Sequence, residues 1–175
     1  MQKKSMSELD RLSAEDYKII EKTPLVLILD NVRSALNVGS AFRTADAFAL
    51  HSIALCGISA QPPHREILKT ALGAEQSVDW VYFENTVSAV KYYKNNGFRI
   101  CAVEQAEGSI MLQDFVWNEK PISIVFGNEV DGVSDDVLQL SDDCIEIPQF
   151  GTKHSLNISV SMGIVIWELF RKLKL

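Results

Sequence analysis

The chain has 175 residues, 47% of them hydrophobic, and carries 17 Lys and Arg against 23 Asp and Glu for a net charge of −6. That length suits one globular domain with a proper core, and the acidic balance argues against a blanket nucleic-acid binder, whose affinity comes from cations neutralising phosphates. No stretch approaches the roughly 18 uncharged apolar residues of a membrane span and Met1 to Ser5 lack an apolar signal core, so no membrane segment is expected and the protein is expected to be cytoplasmic.

Residues 1–23 read as a short helical extension, because Ser5 with Glu8, and Ser13 with Asp16, have the spacing of helix N-terminal caps. Pro24 closes the extension, and residues 24–175 are expected to form one domain. Leu25 to Leu29 is a continuous apolar run of the kind buried on both faces of a sheet. Asp30, Asn31 and Arg33 fall where that strand ends. Val38, Ala41, Phe42, Ala45, Phe48 and Ala49 then make one apolar helical stripe, with Asn37, Ser40, Arg43 and Thr44 off it. Arg43 is either half of a weak surface bridge to Asp46 one turn on or, with Asn37, a group overlooking the strand end, where an open parallel sheet binds ligands.

Ser52 to Cys56 is a second strand, closed by Gly57, and Pro62 and Pro63 mark a loop before a short helix over His64 to Leu72 that carries Arg65 and Lys69. His64 has no second ligand at metal spacing and reads as a surface residue. Val78 to Phe83 is a third strand, Thr86 to Asn95 an amphipathic helix stopped by Asn96 and Gly97, and Phe98 to Val103 a fourth strand. Strands alternating with helices predict an α/β fold, a mostly parallel sheet with helices on both faces. Pro121 to Phe126 is a fifth apolar strand that runs into Gly127, Asn128, Glu129, Val130, Asp131 and Gly132, before Ser134 caps a helix opened by Asp135 and Asp136. That loop matches neither phosphate-cradling glycine pattern, and its acids favour a cationic or neutral ligand; taken alone it reads as an ordinary strand-to-helix turn.

Cys144, Ile145 and Ile147 give the last strand, which Pro148 ends by removing a backbone donor. A polar loop, residues 149–154, leads into a long apolar helix over residues 155–173, with Ser155 as its candidate cap. Asn157 places an amide where a core-facing helix normally carries carbon. Charge is unevenly spread: residues 101–147 hold eleven acids against Lys120 alone, a net −10 that leaves +4 on the other 128 residues. A local basic face therefore remains open, with Arg33, Arg43, Arg65, Lys69, Lys153, Arg171, Lys172 and Lys174 as its candidates. Cys56, Cys101 and Cys144 stand far apart in apolar segments, read as small core residues in a reducing compartment, and offer no metal-ligand spacing.

Three loops thus sit at the ends of three apolar strands, and their residues together resemble the SpoU class of RNA 2′-O-ribose methyltransferases, also called TrmH, within the SPOUT group. The first family motif is matched by Asn37, Val38 and Gly39 followed by Arg43, and the second by Gly127, Asn128 and Glu129 through Gly132. The third is matched by Ile147, Pro148, Gly151 and the run Ser155, Leu156, Asn157, Ile158, Ser159 and Val160. The similarity spans roughly residues 25–171. The resemblance implies a C-terminal deep trefoil knot, which general topology rules would have argued against, a homodimer, and S-adenosylmethionine as the cofactor. It further implies methylation of a ribose 2′-hydroxyl of tRNA or rRNA. Carried over by motif, the cofactor pocket is the backbone near Val103 and Glu104 with Gly127, Ile147 and Leu156, and the catalytic set is Asn37, Arg43, Glu129, Ser155 and Asn157. Gln149 and His154 depart from the usual family pattern. No separate RNA-binding domain is recognisable, so substrate selection is expected from the dimer surface or an accessory protein, with the helix over residues 155–173 and its Gly163 as the candidate dimer face. A non-catalytic SPOUT-fold RNA binder is the alternative reading; the intact Arg43, Glu129, Ser155 and Asn157 argue against it.

Overall fold

The computed structural model describes residues 1, 3–5, 12–118 and 120–175. The cap expected from Ser5 and Glu8 lies outside the described residues. In chain order the elements are α1 (Ala14–Ile19), β1 (Thr23–Asp30), α2 (Ala35–Ala47), β2 (Leu50–Cys56), α3 (Arg65–Ala71), α4 (Ala74–Ser77), β3 (Trp80–Phe83), α5 (Thr86–Asn95), β4 (Arg99–Val103), β5 (Ile110–Met111), β6 (Ile122–Phe126), α6 (Asp135–Leu140), β7 (Asp143–Glu146) and α7 (Ile158–Lys174). The strands form one sheet in the order β3-β2-β1-β6-β4-β7-β5, and every pairing is parallel.

The apolar runs become central strands because helices cover both faces of the sheet. Side chains alternate across a strand, and β1 shows it: Leu25, Leu27 and Leu29 pack with α2, α3 and α7 on one face, while Val26 and Ile28 pack with α5 and α6 on the other. Burying each such Leu or Ile contributes roughly 1.5–3 kcal/mol. The small α1 docks on the first face through Tyr17, whose hydroxyl donates to Ala45 O at 3.3 Å, and Ser13 caps it by accepting from Asp16 N. At the far end of the chain, Lys172 of α7 donates to the carbonyls of Leu112, Gln113 and Phe115 and so pins the 3-10 turn that follows β5. No described helix is long and apolar enough to cross a membrane.

The helix expected over residues 155–173 begins three residues later, at Ile158, and its cap is Asn157 and not Ser155. Asn157 Oδ1 accepts from Ser159 N at 2.9 Å and from Ser159 Oγ at 2.6 Å. Likewise Ser134 stands at the N-cap position of α6 without a capping hydrogen bond from its side chain, and Asp46 accepts from Ser77 Oγ, with no bridge to Arg43. His64 is the cap of α3, its Nδ1 accepting from Glu66 N at 3.2 Å. Cys56 and Cys101 are buried and all three thiols are free.

Candidate active-site cleft

Parallel pairing in register brings the carboxyl ends of four strands to one edge: Leu29 lies opposite Phe126, Phe126 opposite Val103, and Val103 opposite Ile145. In an open α/β sheet this edge, near a reversal of strand order, is where ligands bind. A cleft of about 580 Å³ opens there, within the usual size of a small-molecule site. Its walls are apolar at Val103, Phe126, Leu138, Ile145, Ile147, Leu156 and Ile158, and acidic at Glu104, Glu129, Asp131 and Asp135.

The loops around the cleft are tied to one another by side chains. Glu129, from the loop after β6, accepts from Arg33 N at 3.0 Å, Ser34 N at 3.2 Å and Asn37 Nδ2 at 2.9 Å, and so fastens the start of α2. Burial opposes its charge, but the hydrogen bonds from Asn37 and from the backbone amides of Arg33, Glu129 and Ser34 outweigh it and hold its pKa below the usual glutamate value. Within the same loop Asn128 and Gly132 exchange two backbone hydrogen bonds of 3.1 Å, and Asn128 Oδ1 accepts from Val130 N and Asp131 N, both at 2.8 Å. This fold-back needs both glycines. Gly132 has φ +68°, and a Cβ on Gly127 would lie 2.0 Å from Gly132 C.

A second carboxylate closes the other side. Glu104 accepts from Val133 N at 3.0 Å and Gln105 N at 2.8 Å, and Gln105 Nε2 donates to His154 O at 2.7 Å. The chain of contacts therefore runs from α2 through Glu129 and Glu104 to the loop before α7. Of the residues expected from the sequence, Val103, Glu104, Gly127, Glu129, Ile147, Ser155 and Leu156 line the cleft, as do Gln149 and His154. Asn37 stands behind Glu129, and Asn157 caps α7 beside Leu156 and Ile158. The Ser155 hydroxyl makes no hydrogen bond within the described residues and faces the cleft as a free group.

Arg43 is not brought to this cleft. It lies six residues after Asn37 on α2, about 9 Å along the axis and about 120° round it, and opens into a separate groove bordered by Lys69, Thr70 and Gly163. The sequence reading missed the side-chain roles of Glu104 and Gln105, since both act through contacts 29 and 49 positions away. Among the described residues no cluster of His, Cys, Asp and Glu could hold a metal ion.

Residues 24–167 match the family model described as the SpoU rRNA methylase family. An uncharacterised tRNA/rRNA methyltransferase of Borreliella burgdorferi is 33% identical over 158 residues, covering 89% of this chain and 67% of that protein. The tRNA (guanosine(18)-2′-O)-methyltransferase of Aquifex aeolicus is 31% identical over 163 residues, covering 89% and 74%. Among solved structures, the AdoMet-bound rRNA methyltransferase from Sinorhizobium meliloti superposes with a TM-score of 0.81 at 27% identity, covering 91% of this chain and 60% of that one.

Proposed function

The chain belongs to the SpoU rRNA methylase family, and from that premise we propose that it transfers a methyl group from S-adenosylmethionine to a ribose 2′-hydroxyl of tRNA or rRNA in the cytoplasm. The observation that carries the reading is the joint placement of Glu129, Ser155 and Leu156 on one cleft with Gly127 and Ile147, residues contributed by two separate loops. The cleft suits the cofactor chemically: its apolar walls match an adenine, and its carboxylates match a sulfonium and an amino group. When bound, S-adenosylmethionine supplies a methyl group on a good leaving group.

The protein's task is then to align a 2′-oxygen and ease the loss of its proton. The free Ser155 hydroxyl is the group that orients the ribose, and Asn157 fixes the turn that presents it. Glu129 holds Asn37 and the start of α2 in register with the cleft. A guanidinium is a fork of cationic donors and no base, so the role of Arg43 is to grip a neighbouring phosphate or to stabilise the developing alkoxide. Residues 24–175 are the SPOUT methyltransferase domain in this reading and residues 1–23 a short extension, of which α1 docks through Tyr17.

Two structural consequences belong to the same proposal. The chain leaves β4 for the far edge at β5, returns to the middle at β6, and goes out again to β7 between β4 and β5; this repeated crossing supports a C-terminal deep trefoil knot formed by the segment after β7. The protein also works as a homodimer through α7, where Val160 (50% exposed), Ile164 (38%) and Trp167 (47%) share a face with Gly163. Arg43 borders that face, so it serves the cleft of the second copy. Substrate selection then rests on the dimer surface, or on an accessory protein.

The deciding experiment combines equilibrium binding of S-adenosylmethionine with transfer of its labelled methyl into RNA from cells lacking the gene, digested to nucleosides. Label in a 2′-O-methylnucleoside is expected. Cofactor binding with label in no nucleoside would favour the non-catalytic RNA binder instead.

A further inference from the structure

The groove that receives Arg43 has a volume of about 540 Å³ and lies between α2, α3 and α7. Its one other charged side chain is Lys69 of α3, and both cations are exposed. No carboxylate pairs with Arg43 or Lys69 among the described residues. Two of the three hydroxyls that line the groove are spent as donors, Ser40 Oγ and Thr70 Oγ1 both donating to Leu36 O, at 3.0 and 2.9 Å, and Thr44 is the third. What the groove offers an incoming group is therefore chiefly two uncompensated positive charges from two different helices, in a chain whose net charge is −6.

The two cations border one groove because α3 lies close on α2. A Cβ on Gly39 would stand 2.1 Å from Thr70 Oγ1 and 2.4 Å from Ile67 O. Only glycine at position 39 admits that approach, and Lys69 directly precedes Thr70, one of those two contacts. Gly39 thus has a packing reason for its place in the first motif: it lets α3 lie against α2, so that Arg43 and Lys69 border one groove.

We propose that Lys69 and Arg43 form a two-cation seat for a backbone phosphate of the RNA substrate, with Lys69 a substrate-positioning residue and Gly39 the residue that builds the seat. The proposal rests on the RNA methyltransferase reading above. A phosphate fits because both groups are point or fork donors of positive charge and no acid is among the residues lining the groove, whereas the cleft by Glu129 is acidic and suits a cation. The groove and the cleft divide the chemistry accordingly: polyanion on one side, sulfonium on the other.

The test measures Lys69→Ala and Lys69→Arg in the full chain, with Lys91→Ala on the opposite sheet face as control. The probe is unfractionated RNA, tRNA with fragmented rRNA, from cells lacking the gene. Expected for Lys69→Ala is a rise of about three- to tenfold in KM for RNA, with kcat, cofactor affinity and melting temperature unchanged, and a log–log salt slope of RNA binding shallower by about one. Lys69→Arg is expected to restore the slope, and Lys91→Ala to leave it as in the wild type. An unchanged slope and KM in Lys69→Ala, or a loss that tracks cofactor affinity or melting temperature, overturns the seat. Equilibrium binding of the same RNA without cofactor separates the two ideas: a Lys69-dependent slope in a protein that transfers no methyl keeps the seat and removes the methyltransferase reading.

Discussion

Asn37 and Glu129 stand 92 positions apart in the chain and meet through one hydrogen bond of 2.9 Å, the Asn37 amide donating to the Glu129 carboxylate. With the amides of Arg33 and Ser34 on the same carboxylate, this contact makes the first and second loops a single rigid edge of the cleft.

Glu129→Gln tests that edge. Gln keeps the shape but replaces one acceptor oxygen by a donor, so at least one of the three donors loses its partner. The group is largely exposed, so the stability cost is small, about 1 kcal/mol, while the misplaced loop is expected to slow methyl transfer on the order of 100-fold. The pH dependence has a fixed sign. A carboxyl whose pKa is lowered by folding stabilises the protein above the ordinary glutamate range, and that contribution disappears as pH falls through the folded value. Melting curves should show an acid limb in the wild type that is flatter in Glu129→Gln.

Arg43 acting across a dimer predicts complementation. Arg43→Ala and Ser155→Ala are each expected to be inactive. Refolded together in equal amounts, half of the dimers are mixed and each mixed dimer has one complete site, which gives about a quarter of wild-type activity in a symmetric dimer. If Arg43 served its own chain, no mixture would recover activity. The measurement is transfer rate against mixing ratio.

Asn157 carries two roles that a pair of substitutions separates. Asn157→Ala removes the acceptor for Ser159 N and should destabilise α7 by about 1 kcal/mol. Asn157→Asp keeps an acceptor at the helix start and should retain the melting temperature. If the amide also contributes to the ribose site, transfer falls in both variants while stability falls in one.

Arg99 and Asp143 join β4 to β7 through a two-pronged pair, with bonds of 2.5 and 2.6 Å between side chains that are 20% and 10% exposed. Asp143→Ala leaves a mostly buried guanidinium without its partner and is expected to cost about 2–4 kcal/mol by chemical denaturation. Because the pair lies at the opposite ends of these strands from the cleft, cofactor affinity of the folded fraction should be kept.

Much of this was readable beforehand where the signal was local. The runs at Leu25 and Ile122 had to be central strands, because only burial on both faces tolerates so little polarity. The three loops carried enough specific residues to name the family. Contacts that span the fold left no local trace: β5 and α4 are too short for a periodic pattern, and the carboxylate of Glu104 reveals its partner only once Val133 is placed against it. Ser155 was the cap candidate of the last helix, yet the cap is Asn157, two residues on, because it is the Asn157 side chain that reaches Ser159 N. The separation of Arg43 from Asn37 was within reach, since six residues of helix turn a side chain well away from its starting direction.

The centre of the sheet has a consequence for how the molecule comes into being. β1 pairs with β6, joining Leu25 to Ile122 and Leu29 to Phe126 across about one hundred positions of chain. A nascent chain emerging from the ribosome can therefore assemble β1, β2 and β3 early, yet the apolar edge of β1 stays bare until residue 126 is out of the exit tunnel. Through most of synthesis that strand is an open template for pairing with another chain. Truncations that stop before β6 should accordingly aggregate, and the protein's yield in a cell should depend on chaperones that shield that one strand.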